Sequence, residues 1–549
     1  MVKLFKNFLS FFSRPQKGIL SAASIIMITV ALSRILGLVR DRMLIARFDT
    51  GSLGVYYAAF RLPNLIFELL VMGALSTAFI PIFTSYIETD KKKEAFEIAS
   101  SVINIGLIVF TILAIPLIFF AAPICRFLAP GFSEAELKLM IPFTQIMIIA
   151  QVAPLIIGNF FTGVLQSFRN FIFPALAPVM YNLGIIIGIF FLTPSYGIYA
   201  PVYGVVFGAI FFTLIQLPIV FLYGYRHSFK LNLHHSGVKN IGKLIGPRTF
   251  GLAISQIDTT VDLMLSSLLG APFVTIFNLA QHLQQIPIGL FGDSISQATL
   301  PTLSASWAKR DIESYKSTFL ESFHEILFFV VPLSAILVVL RIPIVRLVFG
   351  AKHFDWDSTV LTGKTLAFFS LSLFAQALIN LLARGFYALH DSKTPVIIGA
   401  ISVATNTILS ILFIRYLSLP IWSLGLSTSI ASIIDAVFLL IFLDRKIAGF
   451  DKWKLVFPVI KIALAGLVTG FALYIPIKLL DQLVFDTTRT FSLMILTGIS
   501  TTIGLSVYFF LAWFLEIPEF SILFKILKRA EKLKSIFIET SQEVVNVPE

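Results

Sequence analysis

The sequence predicts an all-α polytopic membrane protein with about fourteen transmembrane helices. Of its 549 residues, 57% are hydrophobic and only 13% are charged, and the mean hydropathy is +0.90. Apolar stretches of about 20 residues, the length that crosses a hydrocarbon core, recur along the whole chain. Because nearly every residue falls in a span or a short connection, no soluble domain is left for chemistry outside the membrane.

The predicted spans form two six-helix lobes related by a pseudo-two-fold axis, followed by two C-terminal helices. The spans lie at 20–46, 54–84, 97–121, 139–166, 174–193, 199–223, 247–269, 272–300, 319–341, 360–388, 395–415, 420–443, 455–479 and 490–515. The corresponding regions are a cytoplasmic amphipathic segment (1–18), an N-lobe (19–225), a cytoplasmic linker (226–245), a C-lobe (246–445), helices thirteen and fourteen (446–516) and a cytoplasmic tail (517–549).

A short internal repeat supports the two lobes. The pattern S-x-A-x-x-P ends span two at 76–81 and span eight at 296–301. In addition, Gly163 precedes Pro174 at the start of span five much as Gly385 precedes Pro395 at the start of span eleven. Parallel repeats that rock against each other around a midplane site are a common design of secondary transporters.

The formal net charge of +12 would indicate nucleic-acid binding in a soluble protein, but here its placement follows the positive-inside rule. Lys and Arg concentrate on alternate connections, which predicts that both termini are cytoplasmic and that no nucleic acid is bound. The first seventeen residues interleave basic and aromatic side chains. We interpret them as a helix lying on the inner leaflet, with a cleaved signal peptide as the alternative.

The first two spans carry a charged stripe that predicts an anion site. An ionisable group at bilayer depth costs about 2.5–3.5 kcal/mol on insertion scales and indicates function when it faces a cavity. Span one holds more arginines than aspartates, and surplus positive charge in a cavity implies an anionic ligand. The alternative is that Arg34 pairs with Asp41, and Arg61 with Glu68, only to neutralise charge. The stripe comprises Arg34, Arg40, Asp41, Arg61, Asn64 and Glu68.

A second polar group, in the predicted C-lobe, suits a coupling cation. Asp258 and Asp262 lie one helical turn apart in span seven. We interpret His282 in span eight as a switchable cationic contact for the ligand. Interhelical hydrogen bonding is the plainer alternative. Neutral oxygens on spans eleven and twelve come from Asn406, Ser410 and Thr428. Oxygen ligands without a soft donor favour Na⁺ or H⁺ over a transition metal.

Enzymatic classes find little support in the sequence. Asp355-Trp356-Asp357 matches the D-x-D motif of sugar transferases, but a loop that caps the next helix is the better interpretation without a soluble domain. No G-x-x-x-x-G-K-S/T phosphate loop is present, so ATP hydrolysis by that route is excluded. Cys125 is the sole cysteine, which excludes a disulfide framework and a cysteine metal site. We expect a transporter with no cofactor besides the coupling ion.

Several motifs together resemble the MurJ/MviN family of lipid II flippases, in the multidrug/oligosaccharidyl-lipid/polysaccharide exporter superfamily. They are S-R-I-L-G-L-V-R-D in span one, F-R-L-P-N-L and G-A-L-S-T-A-F-I-P in span two, A-P-G-F at 129–132, and G-F-Y-A-L-x-D-x-K-T-P at 385–395. The resemblance implies translocation of undecaprenyl-pyrophosphate-linked peptidoglycan precursor across the bacterial plasma membrane by alternating access, for cell-wall synthesis. Arg34 and Arg40 match two essential arginines of the family, and Arg61 matches a basic residue before L-P-N.

The resemblance also implies a groove for the polyprenyl tail along the two C-terminal helices, and cell-wall synthesis enzymes as partners. The sequence departs from the family pattern in four places. Gly54 replaces an aspartate, Phe67 and Met72 replace an arginine and a glutamate, and His282 replaces an arginine. The alternatives to lipid II transport are flipping of another polyprenyl-linked oligosaccharide and multidrug export within the same superfamily.

Overall fold

The computed structural model describes residues 19–72, 78–483 and 490–521, and the regular structure in these ranges is helical. The predicted amphipathic segment 1–18 and most of the predicted tail 517–549 lie outside the described residues. The prediction of an all-α fold is confirmed.

The helices of the predicted N-lobe follow the predicted spans closely. Span two is divided into several pieces, whereas spans three to five are each one long helix. In chain order the helices are α1 (Ile19–Arg47), α2 (Thr50–Ala59), α3 (Arg61–Phe67), a π-helix (Glu68–Met72), α4 (Ile80–Glu88), α5 (Lys92–Phe119), α6 (Ala121–Leu128), α7 (Glu134–Ser167), α8 (Ile172–Tyr196), α9 (Tyr199–Leu214) and α10 (Leu217–Leu222).

The remaining helices cover the predicted C-lobe and the two C-terminal spans. In chain order they are α11 (Ser236–Leu268), α12 (Ala271–Pro287), a π-helix (Ile288–Asp293), α13 (Ser294–Ala308), α14 (Ile312–Val339), α15 (Arg341–Phe349), α16 (Trp356–Ser370), α17 (Leu373–Ala388), α18 (Lys393–Ile411), a π-helix (Leu412–Tyr416), α19 (Trp422–Lys446), α20 (Lys452–Leu483) and α21 (Thr490–Phe514).

Within the described residues, nine helical segments are long and apolar enough to cross a membrane, and the bent pair α16–α17 raises this number to ten. The remaining predicted spans are the first two of each lobe. Span seven, α11, has low mean hydropathy, and spans two and eight are interrupted by π-helices. In span one, the side chains of α1 are described only from Thr29 onward. The element order is consistent with fourteen spans. The ionisable residues of the predicted sites and Asn64 lie in these four, whereas Asn406, Ser410 and Thr428 lie in spans eleven and twelve.

The π-helices in spans two and eight occupy matching positions of the internal repeat. They begin at Glu68 and Ile288, which are 220 positions apart. The two S-x-A-x-x-P motifs are separated by the same 220 positions, although 73–77 lie outside the described residues. π-Helical turns are rare and often mark functional sites. Their shared register supports the two-lobe interpretation independently of the short sequence motifs.

The described chain divides into two compact units. The first contains residues up to 280 together with 348–365 and 403–427, and the second contains 281–347, 366–402 and 428 onward. These units combine parts of the two predicted lobes, so the lobe boundaries at 225 and 246 stay predictions.

Close packing of glycines holds α8 against α9 within the first unit. A Cβ atom on Gly184 would lie 2.4 Å from the Gly208 nitrogen, and one on Gly188 would lie 2.3 Å from the Gly204 Cα. Small residues let helix backbones approach closely in membranes, where dispersion contacts replace the hydrophobic effect as the driving force.

Three connections of the first unit meet at one end of its helices. Phe168, which follows α7, stacks on Tyr223, which follows α10, with ring centroids 4.5 Å apart. Arg169 lies 3.8 Å from Glu88 at the end of α4. Tyr225 packs against Phe96 near the start of α5. These are the alternate, lysine- and arginine-rich connections that the sequence places on one side of the membrane.

In the second unit, the motif at 385–395 forms a capped helix start. Asp391 Oδ1 accepts hydrogen bonds from the backbone nitrogens of Lys393 (3.0 Å) and Thr394 (3.1 Å), and Lys446 donates to Oδ2. Burial raises the pKa of Asp391, but the hydrogen bonds from Lys446 and Thr394 outweigh it and hold this pKa well below its usual range. The aspartate of the motif therefore orders the connection between α17 and α18.

Candidate substrate and ion sites

The arginines of α1 differ in how the described part of the chain engages them. Arg42 is exposed and donates to the Val348 carbonyl at 3.1 Å. Arg34 is exposed and forms no hydrogen bond or ion pair with the described part of the chain. Arg40 is mostly buried and donates through Nε and Nη2 to Asp41 Oδ1, at 3.0 and 2.8 Å, and through Nη1 to Asn182 Oδ1 at 3.1 Å. Arg34 is therefore the cation on this helix that is available to an anionic ligand.

Asp41 pairs with its neighbour Arg40 and not with Arg34. Helical periodicity places Arg34 and Asp41 on one face and Arg40 about 120° away, but the long arginine side chain bends back to the adjacent carboxylate. Asp41 is almost fully buried, with 1% exposure. Asn182 on α8 completes the arrangement by donating to the Ser33 carbonyl and hydroxyl, each at 3.3 Å. Arg40 is thereby fixed beside the exposed Arg34.

Arg61 at the start of α3 is buried and engaged by α11. Its Nη1 donates to Gln256 Oε1 at 2.9 Å, and its Nε and Nη2 donate to Thr260 Oγ1 at 3.0 and 2.8 Å. Nη2 also donates to the Gln256 carbonyl. In this structure the guanidinium connects α3 to α11 and has little capacity left for a ligand.

The other two members of the predicted span-two stripe are less enclosed. Asn64 is exposed, and Glu68 is half-buried at the first residue of the π-helix. No salt bridge joins Glu68 to Arg61 in the described part of the chain. The direct Arg61–Glu68 ion pair that the sequence offered as an alternative is thus not formed, because the Arg61 guanidinium hydrogen-bonds to α11.

The predicted cation site brings α11 and α18 together. Asn406 Nδ2 donates to Asp258 Oδ1 at 2.8 Å. Ser410 Oγ donates to Asn406 Oδ1 at 3.4 Å and lies 2.6 Å from Ser427 Oγ. Asp262 is 4% exposed, and its Oδ1 has no hydrogen-bond partner among the described residues. The cluster therefore combines two carboxylates, an amide and two hydroxyls, and one buried carboxylate oxygen in it has no hydrogen-bond partner among the described residues.

Two predicted site residues belong to the second unit. His282 on α12 and Thr428 on α19 are both half-buried, and each has interactions of its own. Their roles in cargo and ion binding stay predictions. Among the described residues, no group of three or more His, Cys, Asp or Glu side chains is arranged to hold a metal ion.

Two departures from the family pattern have a structural explanation, one steric and one based on the apolar surroundings of the side chain. A Cβ atom on Gly54 would lie 1.8 Å from the Ala271 carbonyl oxygen, so α2 crosses the start of α12 where no side chain fits. Phe67 packs against the buried cluster of Leu155 and Phe212, an apolar environment in which an arginine would be costly. The side chain of Met72 lies outside the described residues.

A second close approach occurs at the A-P-G-F motif. A Cβ atom on Gly131 would lie 2.0 Å from the Ser267 carbonyl oxygen at the end of α11. Near the first glycine contact, Thr275 donates to the Thr50 carbonyl at 2.6 Å. The segments around Gly54 and Gly131 thus pack directly on the junction between α11 and α12.

The D-x-D sequence is a helix cap. Asp355 Oδ1 accepts a hydrogen bond from the Ser358 backbone nitrogen at 2.9 Å, just before the first turns of α16. Hydrogen bonding from Ser358 lowers the pKa of Asp355. The interpretation as a capping loop is confirmed, and the sugar-transferase alternative has no structural support here.

Sequence reasoning missed a polar cluster in the second unit. Asn380 Nδ2 donates to Asp293 Oδ1 at 2.6 Å, and Arg384 Nη1 donates to the Asp293 carbonyl at 3.3 Å. Asp293 ends the second π-helix. The available signal was Arg384 itself, a half-buried arginine in an apolar helix four residues after Asn380. Asn182, Gln256 and Thr260 were also missed, because neutral polar residues are common in membrane helices.

The sequence profile described as lipid II flippase MurJ matches residues 48–484. The lipid II flippase MurJ of Burkholderia cenocepacia is 29% identical over 414 residues, which cover 73% of this chain and 78% of that protein. The probable lipid II flippase MurJ of Bdellovibrio bacteriovorus is 26% identical and covers 92% of this chain and 96% of its own length.

Among solved structures, one agrees with this assignment and another shares the fold. The chain superposes on a lipid II flippase MurJ in an inward closed conformation with a TM-score of 0.73 and 25% identity, over 88% of this chain and 98% of that one. An inward-facing multidrug resistance MATE transporter matches with a TM-score of 0.64 and 15% identity, over 77% of this chain and 98% of that one, and shares the fold alone. Given the profile match over most of its length, the chain belongs to the MurJ family of lipid II flippases.

Proposed function

We propose that this chain is a lipid II flippase, which moves the undecaprenyl-pyrophosphate-linked peptidoglycan precursor from the cytoplasmic to the outer leaflet by alternating access. The observation that carries this proposal is the family match over residues 48–484. The chain is a multi-pass protein of the bacterial inner membrane and a transporter, not an enzyme. Its relatives do not favour the alternatives of a different polyprenyl-linked cargo or of multidrug export.

The head of the cargo carries a pyrophosphate, for which arginine is the suited residue. A guanidinium offers paired N–H donors to phosphate oxygens and stays charged in an apolar environment. We assign the first contact to Arg34, which is exposed, and a supporting contact to Arg40, whose side chain Asp41 and Asn182 hold in place. Asn64, also exposed, is suited to a neutral contact with the head group.

His282 is a further proposed cargo contact, because it stands where the family pattern has an arginine. If His282 contacts the pyrophosphate, His282→Ala lowers cargo affinity and His282→Arg keeps it. Unchanged affinity in His282→Ala would instead assign a structural role to the histidine.

Na⁺ or H⁺ is the proposed coupling ion at Asp258 and Asp262. The donor set is all oxygen, as hard cations prefer, and the unsatisfied Asp262 Oδ1 supports an additional ligand there. Asn406 and Ser410 would supply neutral oxygens, and Thr428 is the predicted contribution of α19. An ion drives a transport cycle only by binding one conformation more tightly than another.

We also propose that both termini face the cytoplasm, that helices thirteen and fourteen border the polyprenyl tail, and that cell-wall synthesis enzymes act nearby. The distribution of lysine and arginine supports the orientation. Labelling of single cysteines placed near each terminus, from either side of sealed vesicles, tests it.

Replacement of a bacterium's own essential lipid II flippase by this gene tests the function. We expect the bacterium to survive with the native chain. We also expect survival with the control variant Arg42→Ala, because the Arg42 guanidinium donates to the Val348 carbonyl and is not a proposed cargo contact. We expect death with the Arg34→Ala/Arg40→Ala variant at equal membrane abundance. Failure of the native chain to support growth, while it is inserted and abundant, would contradict lipid II as the cargo.

A further inference from the structure

A basic cavity lies at the end of the first unit where its alternate connections meet. Its volume is about 640 Å³, within the range of small-ligand pockets. One wall is the first turns of α5, and the other is residues 224–233, which we call the strap. The lining includes Lys93, Glu97, Arg226 and Lys230.

The strap is held on α5 by a set of hydrogen bonds. Asn104 Nδ2 donates to the Ser228 carbonyl at 2.8 Å, and Ser101 Oγ donates to the Lys230 carbonyl at 3.4 Å. The Ser228 backbone nitrogen donates to Ser100 Oγ at 3.2 Å. Tyr225, which begins this stretch, is 1% exposed. The cavity is therefore framed by anchored backbone.

The charges in the cavity are available to a ligand. Lys93, Arg226 and Lys230 are exposed, and none of them forms an ion pair within the described part of the chain. Glu97 is the one carboxylate on the lining. Three cations against one anion favour an anionic occupant, and a single phosphate group meets that condition.

The strap also presents apolar side chains beside these charges. Phe229, Leu231 and Leu233 are exposed by 88%, 47% and 56%, and they alternate along the chain with Lys230 and Asn232. Apolar side chains next to lysine and arginine are typical of segments that lie in the membrane interface. A free phosphate ion would use only the cations, whereas a phospholipid would use both features.

We propose that the strap and α5 form a binding site for the headgroup of an anionic phospholipid. Arg226, Lys230 and Lys93 contact the phosphate, and Phe229, Leu231 and Leu233 enter the acyl region beside it. Occupation of this site would fix the strap, and with it the start of α11, at the membrane surface. None of the described residues of α1 lines this cavity, so the site is distinct from the arginines that we propose bind the cargo.

The test is native mass spectrometry of the full chain titrated with phosphatidylglycerol, phosphatidylcholine or inorganic phosphate. We expect phosphatidylglycerol to bind preferentially. The Arg226→Gln/Lys230→Gln variant should weaken that binding roughly tenfold, because each basic residue near an anionic surface contributes. Glu97→Gln should strengthen it. Lys309→Gln/Lys452→Gln, which removes two equally exposed lysines elsewhere, is the matched control and should not change it.

Two results would overturn the proposal. One is unchanged phosphatidylglycerol binding by the Arg226→Gln/Lys230→Gln variant when it elutes as a folded protein like the control. The other is displacement of the lipid by equimolar inorganic phosphate, which would indicate a free-anion site. Independently, a fluorophore on Phe229→Cys should be quenched by phospholipids brominated in their acyl chains, since Cys125 is buried. Absence of quenching contradicts insertion of the strap.

Discussion

Arg34 on α1 and Arg61 on α3 have opposite surroundings. Arg34 is exposed and has no partner in the described chain, whereas Arg61 is 8% exposed and is hydrogen-bonded to Gln256 and Thr260 on α11. An unengaged cation in an apolar protein raises the affinity for an anion, whereas an engaged one stabilises the contact between helices. The difference separates cargo binding from conformational stability, and mutations can test it.

The largest effect is expected for Arg34→Ala/Arg40→Ala. Loss of both guanidinium groups should reduce lipid II transport by about a hundredfold or more, since losing charge-assisted contacts that become buried against the bound pyrophosphate costs about 3 kcal/mol or more. Thermal stability should change little for Arg34→Ala alone. Transport is measured as exposure of lipid II to an external lipid II-cleaving enzyme. Transport at the native rate by the double variant would show that Arg34 and Arg40 are not needed for cargo binding.

Arg61→Ala should lower the stability of the protein more than its binding of cargo. It removes charge-assisted hydrogen bonds from the buried Arg61 and leaves the half-buried Gln256 side chain without this partner, so we expect a stability loss of about 2 kcal/mol. Thermal unfolding in detergent checks this, with Arg34→Ala as the control. If the Arg61→Ala variant keeps its unfolding temperature but loses cargo binding, Arg61 contacts the cargo, as the sequence predicts.

Gly54→Ala tests the same α11–α12 region sterically. The added methyl group would overlap the Ala271 carbonyl, so α2 and α12 must separate, at a cost of about 2 kcal/mol for this conformation. Cysteine crosslinking between α2 and α12 should fall relative to Gly37→Ala, where the added Cβ meets no atom within 4 Å. Unchanged crosslinking would mean that the helices are already apart in the membrane.

Asp262→Asn should slow turnover about tenfold and leave cargo binding intact. The bound ion favours one conformation by about 1.4 kcal/mol for each tenfold difference in its affinity for the two conformations, and the variant loses this bias. The measurement compares transport rates across imposed sodium and proton gradients. Asp435→Asn, which changes another buried carboxylate in a span, is the control. Wild-type rates under both gradients would make the two carboxylates of α11 structural.

The smallest effect is expected at Asp391, far along the chain from both arginines. Asp391→Asn should destabilise the α17–α18 connection by about 1 kcal/mol through the lost cap. Since the folded-state pKa of Asp391 is lowered, its contribution is present above the unfolded value of about 3.9 and is lost as the pH falls further. The stability difference between native chain and variant should therefore be flat at neutral pH and shrink only below about pH 4.

Much of the fold follows from the sequence, because apolar length and alternating charge determine the number and order of spans. The sites follow only in part. Asp258 and Asn406 could be proposed together from residue type, and their contact is present at 2.8 Å. The pairing of Arg40 with Asp41 could not, since helical periodicity fixes the direction of Cα–Cβ bonds but not where a long arginine side chain ends.

Tertiary partners were the other information missing from the sequence. Asn182, which holds Arg40, is 142 positions away, and Gln256, which holds Arg61, is 195 positions away. Nothing in the sequence distinguishes Asn182 or Gln256 from the many other polar residues in these helices. The π-helices could not be predicted from the sequence either, because the residues of an i→i+5 turn have the same hydropathy as those of the α-helix around it.

The paired π-helices at Glu68–Met72 and Ile288–Asp293 also limit how a polar stripe can be followed along these two spans. The i→i+5 hydrogen bonds of a π-helix put more residues into a turn than the 3.6 of an α-helix. A stripe counted at α-helical spacing from Arg61 therefore does not continue beyond Glu68, and one counted from His282 does not continue beyond Pro287.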